Sequence, residues 1–144
     1  MLPLRLVLDT NIVVSAALKP KGLQHTTFLL AIRKPCRLYV SAEIVEEYAE
    51  VLARPELRIA RGTRLHFLQL IKNHAYTVTA SHELEICGDS DDNIFLESAE
   101  AARADYLITG NLKHFPVFWR STKAITAREF VGLAAPHLLQ GRRM

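Results

Sequence analysis

Cysteine is almost missing: Cys36 and Cys87 are the two in 144 residues. Two well-separated thiols exclude a disulfide scaffold and a paired-cysteine metal site, and they read as reduced and structural. Long apolar runs are missing too. No stretch approaches the roughly 20 residues that span a membrane. Near the amino terminus Arg5 and Asp9 interrupt the one apolar stretch, and no small-residue cleavage site follows. Neither a signal peptide nor a membrane anchor is expected, and a cytoplasmic location is. Internal repeats, low-complexity tracts and linkers are also absent, so residues 1–144 read as a single domain, long enough for a real core.

Charge of one sign is present only in mild excess. The formal net charge is +3 and the sequence pI about 9.0, which permits a nucleic-acid partner without demanding one. The distribution says more. Arg54, Arg58, Arg61 and Arg64 crowd one short stretch against Glu56 alone, and Arg142 and Arg143 lie at the other end. Acids gather in two places, Glu43 to Glu50 and Asp89 to Asp92.

The pattern that is present alternates strand and helix. Leu4, Leu6, Val7 and Leu8 suit a buried parallel strand that stops at Asp9-Thr10-Asn11 and turns at once into an apolar helical pattern. In its plainest reading Asp9 turns the chain and Asn11 caps that helix. A helix from His25 to Ile32, a strand over Arg37–Val40 and a Ser41-capped helix follow. Another helix opens at Gly62-Thr63, and Tyr76–Thr79 reads as a strand. Ser81–Asp91 reads as a loop, with a helix from about Asp92 to Arg103 behind it. Asp105–Ile108 is a strand ending in Thr109-Gly110-Asn111. Lys123–Thr126 is the fifth strand, and Thr126 with Glu129 has capping-box spacing for a final helix. The class is α/β with a mainly parallel sheet.

Such a sheet binds its ligands at the carboxyl edge of the strands. Four places send polar groups there: Asp9, one Glu of the Ser41 helix, one of Asp91 and Asp92, and Asn111. At about 100° per residue, the stripe Ile44, Val45, Tyr48, Val51 and Leu52 centres near Tyr48. Glu47 is then nearest its edge, with Glu43, Glu46 and Glu50 on the outer face. The same test does not separate Asp91 from Asp92. Three gathered carboxylates repel one another. A hard divalent cation, Mg²⁺ or Mn²⁺, removes that penalty and equips the site for phosphodiester hydrolysis. The arginines would hold phosphates.

Leu6-Val7-Leu8-Asp9-Thr10-Asn11, Ser41-Ala42-Glu43-Ile44-Val45-Glu46-Glu47-Tyr48, Asp91-Asp92-Asn93-Ile94-Phe95-Leu96-Glu97-Ser98-Ala99 and Asp105-Tyr106-Leu107-Ile108-Thr109-Gly110-Asn111 resemble, in order, the signatures of PIN-domain proteins. The similarity is greatest to the VapC-like ribonuclease toxins of prokaryotic toxin–antitoxin systems, and it covers nearly the whole chain. The resemblance implies a three-layer α/β/α fold around a mainly parallel sheet of about five strands. It further implies a Mg²⁺- or Mn²⁺-dependent endoribonuclease, usually a homodimer, held in check by a cognate antitoxin. Its acids fall on Asp9, Glu47 and Asp92 as metal ligands. Asn111 stands where the family has a fourth acid, and it brings no charge. Thr10, Asn11, Asp91 and Thr109 fall among the supporting groups.

A haloacid-dehalogenase phosphatase needs an acid where Asn11 stands, and a receiver domain needs a late lysine that Asn111 and Lys113 do not supply. A PIN-like module that binds RNA or an antitoxin without efficient turnover is the remaining alternative, and Asn111 is the residue that favours it. His114 reads as structural, and Phe118 and Trp119 as core or dimer contacts rather than base-stacking groups.

Overall fold

A computed structural model describes residues 3–79 and 90–140. Its strands are β1 (Arg5–Leu8), β2 (Arg37–Val40), β3 (Tyr76–Thr77), β4 (Tyr106–Ile108), β5 (Phe118–Trp119) and β6 (Thr122–Ile125). Its helices are α1 (Thr10–Leu18), α2 (Leu23–Ala31), α3 (Ala42–Leu52), α4 (Arg61–His74), α5 (Ser90–Ala102), α6 (Ala127–Ala134) and α7 (His137–Gln140), with single 3₁₀ turns at Pro55–Leu57 and Leu112–His114. The strand order is β3-β2-β1-β4-β6-β5, parallel throughout except for β5 against β6. Leu6, Val7 and Leu8 of β1 are all fully buried. Successive strand residues point to opposite faces, so both faces of the sheet are covered by helices.

The chain leaves β1 in one direction to build β2 and β3, then returns to β1's other side to build β4 and β6. The switch point therefore falls between the carboxyl ends of β1 and β4, where such sheets open a crevice.

Local chemistry accounts for the elements around it. Ser41 caps α3, its Oγ accepting from Ile44 N at 3.2 Å. Thr126 and Glu129 form the expected capping box on α6. Asp9 and not Asn11 caps α1, because its Oδ1 accepts from Thr10 N at 2.8 Å. Tyr48 of α3 is fully buried and its hydroxyl donates to Leu8 O. That bond ties α3 to the last residue of β1.

Among the described residues the sheet has six strands where about five were expected. The extra one, β5, is two residues long and antiparallel, and Pro116 just ahead of it hid it in the sequence pattern. β3 is shorter than Tyr76–Thr79: it ends at Thr77, with Val78 N still donating to Val40 O. α5 begins at Ser90, so Ser90 and Asp91 are helical rather than loop. The rest of that expected loop, and Cys87, lie outside the described residues. Cys36 is a buried free thiol. Among the described residues no helix is long and apolar enough to cross a membrane.

Tyr48→Phe keeps the packing but removes a buried donor from Leu8 O. It should lower stability by about 1–2 kcal/mol. Urea unfolding should show this as a lower midpoint at unchanged slope; an unmoved midpoint would show that the bond contributes nothing.

Candidate active site

The crevice at the switch point is an open cleft of about 760 Å³. It is lined by Asp9, Thr10, Asn11 and Val14 from the β1–α1 junction, by Glu47 and Val51 of α3, and by Arg54, Glu56 and Leu57 beyond it. Asp92 of α5, Asn111 and His114 complete the lining. Asp9, Glu47, Asp92 and Asn111 thus share one cavity, each delivered by a different element.

Asp9 is the most constrained of them, at 6% exposure. Its Oδ2 accepts from Thr109 Oγ1 at 2.7 Å and from Asn11 Nδ2 at 3.0 Å. Asn11 is held in turn by Gly110 N, which donates to its Oδ1 at 3.0 Å. Thr109 Oγ1 accepts from Asn111 N at 2.9 Å. The Asn11 and Thr109 side chains, with the Thr10 backbone N–H, therefore lock the two strand ends together and aim one carboxylate. Burial pushes the Asp9 carboxyl above the usual carboxylate range; the bonds from Thr109 and Thr10, the charge of His114 and the bond from Asn11 pull it back only in part.

Glu47 is half-buried while Glu43, Glu46 and Glu50 are exposed. Its Oε2 accepts from Thr10 Oγ1. The phenol of Tyr48, one residue on, is held well above its ordinary value by burial, then by Asp9 and Glu47. It remains a donor to Leu8 O and adds no charge to the site. Across the cleft Asp92 Oδ2 lies 3.3 Å from His114 Nδ1, and Asn111 Nδ2 lies 2.9 Å from His114 Nε2. His114 is the residue that the sequence reading missed. No periodic pattern marked it: it follows Asn111 by three on a tight turn, which returns it to the same cleft.

The four arginines divide. Arg54 lines the mouth and pairs with Glu50 through two bonds of 3.0 and 3.3 Å. Arg58 follows the 3₁₀ turn in a left-handed conformation, φ 54°. Arg61 is exposed at the start of α4. Arg64 is half-buried, with its Nε enclosed and unpartnered. Of the four, Arg54 alone is in the cleft lining. Nothing is described of the Asp91 side chain.

The donors that Asp9, Glu47, Asp92 and the Asn111 carbonyl offer the cleft are all oxygen, the set that suits a hard divalent cation. Among the described residues no three His, Cys, Asp or Glu groups stand close enough together to form a ligating cluster as they are. Each carboxylate is instead held by a neighbour: Asp9 by Thr109, Glu47 by Thr10, Asp92 by His114.

The sequence profile of the PIN domain matches residues 5–113, most of the chain and every residue of the cleft but His114. The chain belongs to the PIN-domain family. PIN domains are generally nucleases that use divalent metal ions. The uncharacterized protein MJ1680 of Methanocaldococcus jannaschii is 26% identical over 111 residues, 75% of this chain and 71% of that protein. Among solved structures, the crystal structure of VapBC2 from Rickettsia felis bound to a DNA fragment from their promoter contains a chain of the same fold. The TM-score is 0.55 at 16% identity, over 85% of this PIN domain and 98% of that chain.

The pKa direction at Asp9 fixes the sign of a pH effect. A carboxyl raised in the folded state stabilises the fold where it is protonated, below its unfolded value, and that contribution is lost as pH rises through the raised one. In EDTA, wild type should lose thermal stability relative to Asp9→Asn as pH rises across that window. Parallel melting curves for the two proteins over the whole range would show that Asp9 carries no such strain.

Proposed function

We propose that this PIN domain is a metal-dependent endoribonuclease and the toxin half of a toxin–antitoxin pair. The observation that carries the reading is the convergence of Asp9, Glu47, Asp92 and Asn111 on one cleft at the switch point. Asp9, Glu47 and Asp92 would hold Mg²⁺ or Mn²⁺. A divalent ion there would polarise the scissile phosphate and supply a nucleophilic water at neutral pH. The protein's own part is orientation and charge. Burial of Asp9 without a counter-ion is uphill, so a cation at this place relieves the fold as well as serving the reaction. Thr109, Asn11 and Thr10 hold the Asp9 carboxylate in one orientation, and Thr10 also holds Glu47. Arg54 at the mouth would offset the acids toward an incoming phosphodiester, and Arg58, Arg61 and Arg64 follow it in the chain. An antitoxin partner and a homodimer are the assembly we expect; the toxin–antitoxin naming of the structural neighbour supports the first.

Purified protein should cleave mixed RNAs with Mn²⁺ and not with EDTA. Asp9→Asn should cleave nothing and should lose the rise in melting temperature that Mn²⁺ gives wild type; full cleavage by this variant would reject the site. Replacing Arg54, Arg58, Arg61 and Arg64 by Gln should weaken RNA binding and reduce its salt slope by about 0.7 per lost phosphate contact. An unchanged slope would make them ordinary surface charges.

A second reading, a module that binds RNA or an antitoxin without efficient turnover, is favoured by one observation. Residue 111 offers an amide engaged with His114 where an acid is expected. Ligand charge count sets affinity in oxygen sites, so Asn111→Asp should tighten Mn²⁺ binding and raise cleavage mainly at limiting metal. Equal calorimetric affinities and equal cleavage at every metal concentration would place residue 111 outside the ligand shell.

A further inference from the structure

The segment leaving the cleft carries an aromatic and cationic strip that the chemistry above does not use. From Asn111 the chain passes through the turn Leu112–His114 to β5, the outermost strand beside β6. Phe118 lies directly opposite Lys123, and such pairs share a face. Lys123 Nζ sits 5.9 Å from the centre of the Phe118 ring. Phe118 is nevertheless 60% exposed and Val117 beside it 65%. The ring is thus no part of the core, one of the two places, core or dimer contact, that the sequence reading gave it. Lys113, between cleft and strip, is exposed as well. Arg120 covers Trp119 at 4.8 Å and takes Glu100 as its ion-pair partner at 2.7 Å. β5 stands two strand spacings from β4, about 10 Å across the sheet. Phe118 is level through Lys123 with Tyr106, a further three residues or about 10 Å along the strand from the cleft edge at Thr109, a path of a few nucleotides.

A base stacked on an aromatic ring and a phosphate beside a neighbouring ammonium are the contacts one nucleotide makes with a single-strand binding surface. The strip offers that pair in Phe118 and Lys123. It is a poor template for a protein strand, because β5 is two residues long and follows Pro116. A duplex fits no better, since its bases stay stacked inside the helix.

We infer that Phe118, with Val117 and Lys123, is the stacking platform for single-stranded RNA on its way from the cleft, an inference that rests on the ribonuclease reading. The test uses the full chain in EDTA, so that binding is read without cleavage. The probes are a single-stranded oligoribonucleotide carrying the fluorescent base 2-aminopurine, and the same strand in a duplex. Wild type should bind the single strand and quench the fluorophore by stacking. Phe118→Ala should lose the quench and bind about tenfold more weakly, the loss of one stacked base. Phe118→Trp should restore both, and duplex binding should not respond to either change. RNA binding by Phe118→Ala equal to that of wild type overturns the strip while leaving the cleft intact. Absence of RNA binding in wild type overturns the ribonuclease reading and the strip together. A wild-type dimer that Phe118→Ala dissociates in the ultracentrifuge, at unchanged RNA affinity, makes the strip a contact between copies and overturns the inference too.

Discussion

A buried carboxylate at the end of β1 is the constraint on which the rest of the site depends. Asp9 ends the central strand, caps α1 and faces the switch-point crevice. Burial disfavours its ionised form, and four polar contacts only partly compensate. The compensation comes from both sides of the crevice: Thr10 and Asn11 follow β1, and Thr109 follows β4. Loosening either strand end would strand the carboxylate. The fold therefore holds a carboxylate whose ionised form is uphill by itself, and perturbed groups of this kind gather at functional sites.

The second carboxylate is positioned by the same strand through a different contact. Tyr48 anchors α3 on Leu8 O, and Glu47, one residue earlier, is turned by about 100° toward the cleft. Because burial and the two neighbouring acids keep the Tyr48 phenol protonated, the anchor holds whether or not those acids carry charge. Thr10 then closes the triangle by donating to Glu47 while its own backbone N–H donates to Asp9. One residue aligns two acids from two elements.

Most of this was legible because it is local. A buried strand stopping at Asp9, a helix stripe with Glu47 at its edge and the caps at Ser41 and Thr126 are periodicity and capping read directly from residue order. The family resemblance then ordered the pieces. Contacts made by irregular backbone were not legible. Residues 111–114 carry no periodic pattern, so nothing in the sequence showed that the turn brings His114 back beside Asp92. Pro116 masked β5, whose two residues are too few for alternation to show. Asp9 displaced Asn11 as the cap of α1 because Asn11 is held instead by Gly110 N and Asp9, a long-range pairing invisible to a local rule.

The chain Asn111–His114–Asp92 shows why an amide can stand where an acid is expected. Asn111 Nδ2 lies 2.9 Å from His114 Nε2, and His114 Nδ1 lies 3.3 Å from Asp92 Oδ2. The amide thus orients the imidazole, and through it Asp92, without adding a negative charge to the cleft. Residue 111 is placed to align its neighbours without adding charge, and Asp9, Glu47 and Asp92 beside it in the cleft are each held by a residue from another part of the chain.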